Sequence, residues 1–190
     1  MLVRQKDALR MRNRLRIVLT AAVFLILAVR CSNAPLYYNQ GVRAYDGGEF
    51  AAAAKYFEKA ANIEDDEALY YNSAIARWKQ AKKEAADYDE AYDVVEAAID
   101  RDDVSSSHRM KLLFVAGDLR LAQGRTLEAR RVLEQAQQEW GEDPPYLPVL
   151  HRLAEINAGD SPDDAMNLLL HAVELEDPDI ERGANSVECR

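Results

Sequence analysis

Leu36-Tyr37-Tyr38-Asn39-Gln40-Gly41-Val42-Arg43-Ala44-Tyr45 returns 33 residues later as Leu69-Tyr70-Tyr71-Asn72-Ser73-Ala74-Ile75-Ala76-Arg77-Trp78. LYYN is identical, and Val42/Ile75 and Tyr45/Trp78 match in kind. A period in the thirties is that of a helical hairpin repeated along the chain, because each hairpin buries its apolar face only against its neighbours.

A second pattern extends the repeat. Ala53/Phe57/Ala60, Ala91/Val95/Ala98, Ala129/Leu133/Ala136 and Ala165/Leu169/Ala172 each set small, large and small residues four and then three apart. That spacing puts all three on one helical face. The triplets lie 38, 38 and 36 residues apart, so four units are expected, with small insertions. In the second unit the extra stretch, Lys79 to Asp87, is expected to lengthen the first helix. Gly48, Gly124 and Gly159 fall in the other three turns, where a positive φ costs glycine nothing.

The first unit, YYNQGVRAYDGGEFAAAAKYFEKA, resembles the tetratricopeptide repeat (TPR) family. Tyr37 stands for the family's Trp, Gly41 for its Gly, and Ala53 and Phe57 for the A-x3-F of its second helix. Ala44 replaces the usual Tyr, and Asp65 stands where Pro is usual. The resemblance covers about 36–176 and implies an all-α fold, a short right-handed TPR-like α-solenoid of four helix-turn-helix repeats.

The expected helices are about 36–46 and 49–62, 66–85 and 88–101, Ser105 to about Gln123 and Thr126 to about Trp140, and 146–158 and 162–176. Ser105 to Ser107 can cap the third inner helix, and Ser161 followed by Pro162 the last outer one. The units then divide as about 35–66, 67–103, 105–141 and 145–176, followed by a polar tail, 177–190, expected to be disordered.

Ahead of the repeats, 1–34 reads as an export or anchor segment. Six bases, Arg4 to Arg16, precede thirteen apolar residues, Ile17 to Val29. A basic stretch before a short apolar run is the bacterial export pattern, and its positive end stays in the cytoplasm. The repeat domain is therefore expected on the extracytoplasmic, periplasmic side of the inner membrane, held through 17–29.

Three fates of this segment are open. It can remain as an anchor with Arg30 at the outer interface. Cys31 resembles a lipoprotein processing site, although Arg30 departs from the small residue wanted there. Ser32-Asn33-Ala34 offers ordinary cleavage before Pro35.

Charge narrows the partners. Of 24 Lys and Arg, seven lie in the first thirty residues with one acid, leaving 17 basic against 32 acidic groups in 31–190. Such a domain repels phosphate backbones, so nucleic acid is not expected as a partner. With 48% hydrophobic residues the chain can bury a core. Cys31 and Cys189, the two cysteines, make no disulfide framework.

No catalytic constellation is legible. His108, His151 and His171 lack the i, i+4 spacing of a helical zinc pair, and there is no phosphate loop or nucleophile elbow. Asp65-Asp66 and Asp102-Asp103 fall at expected helix starts, where exposed amides favour carboxylates. The expectation is a protein that is not an enzyme and takes no cofactor, no metal and no small-molecule substrate.

Residues three and four apart share a helical face. That gives rows of Tyr38, Val42 and Tyr45, then Tyr71, Ile75 and Trp78, continued by Phe114 and Leu121; Tyr37 and Tyr70 fall on the opposite, core face. The resemblance implies that these rows line a concave peptide-binding groove and that Asn39 and Asn72 reach a bound peptide's backbone. The lysine and arginine clamp of some family members is absent, which points to an apolar or basic internal segment of a protein client.

The expected role is a protein-protein interaction adaptor or scaffold at the cell envelope. The alternative is a periplasmic lipoprotein chaperone or assembly factor, pilotin-like or outer-membrane-assembly-like, anchored through Cys31. The end of the array is a second candidate surface. No amphipathic helix follows Met166 to Val173, so Leu168, Leu175 and their neighbours are expected to dock on a partner or a second copy if exposed.

Overall fold

The computed structural model describes residues 33–139 and 147–176. The described chain is all-helical: α1 (Ala34–Asp46), α2 (Phe50–Ala61), α3 (Glu67–Glu84), α4 (Tyr88–Ile99), α5 (Ser106–Ala122), α6 (Thr126–Gln138), α7 (Leu147–Asn157) and α8 (Pro162–Glu176). Each helix packs on its sequence neighbours, and α5 also touches α3 and α7. The apolar run 17–29, Cys31, the break at 141–145 and the tail 177–190 lie outside the described residues. Among the described residues no helix is long and apolar enough to cross a membrane.

Local chemistry sets the boundaries. Asp66 caps α3 by accepting from the Ala68 amide at 2.8 Å, and Ser105 caps α5 through His108 N–H. The turns after α1 and α5 close alike. Glu49 N–H donates to Ala44 C=O at 2.8 Å and Arg125 N–H to Arg120 C=O at 2.9 Å, with Gly48 and Gly124 at φ of 73° and 75°.

The turn after α3 makes the same bond, Ala86 N–H to Ala81 C=O, without a glycine. Ala85 and Asp87 take positive φ instead, 51° and 56°. The fourth turn departs from expectation, since Gly159 is not in the left-handed region. Asn157 C=O there accepts from the Asp160 and Ser161 amides.

The first three small-large-small triplets are buried throughout. Helix pairs close over them where a residue lacks a side chain: a Cβ on Gly41 would come within 2.6 Å of the Phe57 ring, and one on Gly117 within 2.7 Å of Leu133. The fourth triplet behaves differently. Ala165 and Ala172 are buried but Leu169 is 40% exposed. In the earlier pairs a following helix covers the large residue, and no described helix follows α8.

Helix α5 is the centre of the core, buried continuously from Leu112 to Leu119. At its start, Arg101 ties α3 to the loop before α5. It pairs with Asp65 at 3.0 Å and Asp103 at 2.8 Å, and lies 4.0 Å over the Tyr70 ring. The hydrogen bonds from Arg101 hold the Asp103 carboxyl below its ordinary range. Asp103 thus grips a neighbouring side chain rather than serving a helix start.

Candidate functional site

Helices α1 and α3 both pack on α2, leaving between them a seam that carries LYYN and its apolar successors on each side. In it Tyr38, Val42, Tyr45, Tyr71, Asn72 and Ile75 surround a depression of about 250 Å³ floored by Phe57 of α2. Six of the ten expected groove residues therefore meet in one place. Tyr38 leans on Phe57, ring centres 6.0 Å apart, and Tyr45 meets Phe50 edge-on at 5.3 Å. Burial, then the neighbouring Asp46 charge, pushes the Tyr45 phenol above its ordinary pKa.

A second hollow of about 320 Å³ follows along the same seam, lined by Ala34, Pro35, Tyr38, Glu64, Asp66 and Leu69, with Ala68. Tyr38 is common to both. One hollow is aromatic with a single amide, and the next carries two carboxylates.

The other expected residues sit elsewhere. Asn39 is exposed on α1 and Leu121 half-buried at the end of α5, and neither lines the depression. Phe114 is buried in the core, where Trp78 meets it edge-on at 6.3 Å. Its ring packs helix to helix, as the neighbouring apolar run on α5 requires. Tyr37 and Tyr70 are half-buried against the core, as their face implied.

The seam between α3 and α5 is polar and fixed. Tyr71 stacks on His108 with ring centres 4.1 Å apart, and His108 Nδ1 donates to Glu67 Oε1 at 2.9 Å. Glu67 Oε2 accepts from the Ser105 amide at 2.6 Å. Burial works to raise the Glu67 carboxyl, but the Ser105 and His108 hydrogen bonds outweigh it, leaving the pKa below its ordinary value. One wall of the depression is thereby held in position.

Sequence reasoning missed Asp118, only 7% exposed on α5. Its Oδ2 accepts from Trp78 Nε1 at 2.8 Å and Lys82 Nζ at 2.9 Å, and its Oδ1 from Arg152 Nη2 at 2.8 Å. One carboxylate joins α3, α5 and α7, the shared partner that lets a buried charge persist. Its signal was available: a lone acid in the apolar run Leu112-Leu113-Phe114-Val115-Ala116-Gly117-Asp118-Leu119. Trp78, expected in the groove, instead spends its N–H here.

Among the described residues no group of His, Cys, Asp and Glu is arranged to hold a metal. His151 and His171 are exposed. No family model matches the chain, and no curated protein is significantly similar to it in sequence.

Proposed function

We propose that the chain is a TPR-like helical array whose seam between α1 and α3 binds a segment of a protein client, and that it acts as an adaptor rather than an enzyme. The carrying observation is the pair of hollows that share Tyr38. An apolar client side chain fits the depression of Tyr38, Val42, Tyr45, Tyr71 and Ile75. A basic one next to it meets Glu64 and Asp66. Asn72 offers an amide that can both donate to and accept from a peptide backbone.

The basic and apolar stretches at 4–29 support placing this domain at the cell envelope, outside the cytoplasm. A net acidic domain and an acidic hollow favour clients with Lys or Arg beside an aliphatic or aromatic residue.

Selection of a random peptide library on the full chain tests the reading. Enriched peptides should carry an apolar residue adjacent to Lys or Arg. Tyr38→Ala, at a site 40% exposed, should weaken them roughly tenfold or more without loss of helicity. Enrichment of acidic peptides, or of peptides indifferent to Tyr38→Ala and Asn72→Ala, would remove the seam from consideration.

A further inference from the structure

Within each hairpin the second helix carries its triplet at fixed places, and the residue five after the first Ala is Glu58, Glu96 and Glu134 in the first three units. In the fourth it is Leu170, 52% exposed. The neighbouring places, apolar in most of the other units as well, stay apolar here. Met166, Leu169, Leu170 and Val173 lie within one stripe about 100° wide and are all exposed.

In the earlier units a following helix lies against part of this face: Phe57, Val95 and Leu133 are buried, while Glu96 and Glu134 stay exposed at its margin. α3 lies on α2, where Arg77 donates to Glu58 at 2.8 Å, α5 lies on α4 and α7 on α6. A helical face that water alone covers is expected to be polar at these places. α8 is apolar at all four, and lacks the one glutamate the other units keep.

We propose that this stripe is a docking surface, separate from the seam, for an amphipathic helix of a partner protein whose apolar face is bordered by Lys or Arg. The helical form follows from what covers α2, α4 and α6. The charge follows from α8 itself, which has Asp163 and Asp164 at its start, Glu174 near its end, and no Lys or Arg.

A second copy of α8 fits poorly. Antiparallel packing sets Asp163 and Asp164 against Glu174, and parallel packing sets each acid against itself. Residues 177–190 fit poorly too, since their apolar side chains are few and scattered: Ile180, Ala184, Val187 and Cys189.

The test uses the full chain and two synthetic helical peptides. Both carry leucines at i, i+3, i+4 and i+7; one is bordered by lysines and its twin by glutamates. Fluorescence anisotropy should show the lysine peptide binding at least tenfold tighter than the twin, with the margin shrinking as salt rises. Leu170→Glu, which restores the residue of the other units, should remove most of that binding while helicity and Tm stay unchanged.

Equal binding of the two peptides, or no change with Leu170→Glu, overturns the proposal. So does binding of the lysine peptide only after residues 177–190 are deleted, which would make the tail the occupant. Sedimentation showing a dimer that Leu170→Glu dissolves would assign the stripe to a second copy and overturn it as well. Lysine-peptide binding that survives Tyr38→Ala separates this surface from the seam.

Discussion

Leu133 on α6 and Leu169 on α8 hold the same place in their helices, four residues after an alanine and three before another, yet Leu133 is fully buried and Leu169 is 40% exposed. Neither helix differs in its own pattern at that place. What differs is the helix that comes next: α7 packs on α6, and no described helix packs on the outer face of α8. Where each helix packs on its sequence neighbours, burial belongs to a position in that order as much as to a residue.

The largest effect that probes this contrast is truncation at the two leucines. Leu133→Ala opens a cavity beneath Gly117 and should cost about 3 kcal/mol, whereas Leu169→Ala should cost less than about 1 kcal/mol. Urea unfolding of the two variants measures both. Equal costs would mean that α8 is covered in the free protein and that the contrast is mistaken.

Next in size is Asp118. Asp118→Ala leaves the Trp78 N–H, Lys82 and Arg152 without their shared acceptor, a loss of about 2 kcal/mol. Lys82 and Arg152 are both partly exposed and can turn to water, which keeps the loss below that of a sealed ion pair. Asp163→Ala on the exposed start of α8 should stay within about 0.5 kcal/mol. A small loss at Asp118 in the urea midpoint would show that α3, α5 and α7 hold together by apolar contact alone.

The same contrast explains what could be read from the chain. Helix bounds came within two residues, because caps, glycines and the Ala-x3-large-x2-Ala spacing are local signals that act within a single turn. The seam was legible where one phrase recurs: Tyr38 and Val42 on α1 and Tyr71, Asn72 and Ile75 on α3 line one depression. It was not legible at Phe114 or Trp78, because helical periodicity names a face without saying whether another helix lies on it. Asp118 was missed for the related reason that its partners come from α3 and α7, 36 and 34 residues away. Gly159 was misjudged because the fourth turn closes through Asn157, a choice that no glycine advertises.

A smaller effect separates the turn of the second unit from those of the first and third. Ala85 occupies the left-handed region that Gly48 and Gly124 occupy elsewhere, and an alanine there carries roughly 1 kcal/mol of strain. Ala85→Gly should therefore raise stability by up to about 1 kcal/mol, less what the freer unfolded chain takes back. Thermal unfolding reads it. No gain would indicate that the bond from Ala86 to Ala81 already fixes the turn without cost.

The smallest expected effect concerns pH, and it distinguishes the tied junction of α3 with α5 from the terminal hairpin. The Glu67 carboxyl titrates lower in the folded protein than in the unfolded chain, because the Ser105 amide and the His108 ring favour its charged form. A depressed carboxyl contributes stability above its unfolded pKa, about 4.3, and loses it as pH falls through the folded value. Tm of the wild type and Glu67→Gln should differ at neutral pH, and the difference should shrink only as pH falls below the unfolded value and through the lower folded one. With the Glu67 charge gone, the Tyr71 to His108 stack is held less firmly, so the gap at neutral pH should be accompanied by weaker binding in the depression that Tyr71 walls. A gap that persists into acid would place the role of Glu67 in packing rather than charge, and would leave the depression indifferent to its ionisation.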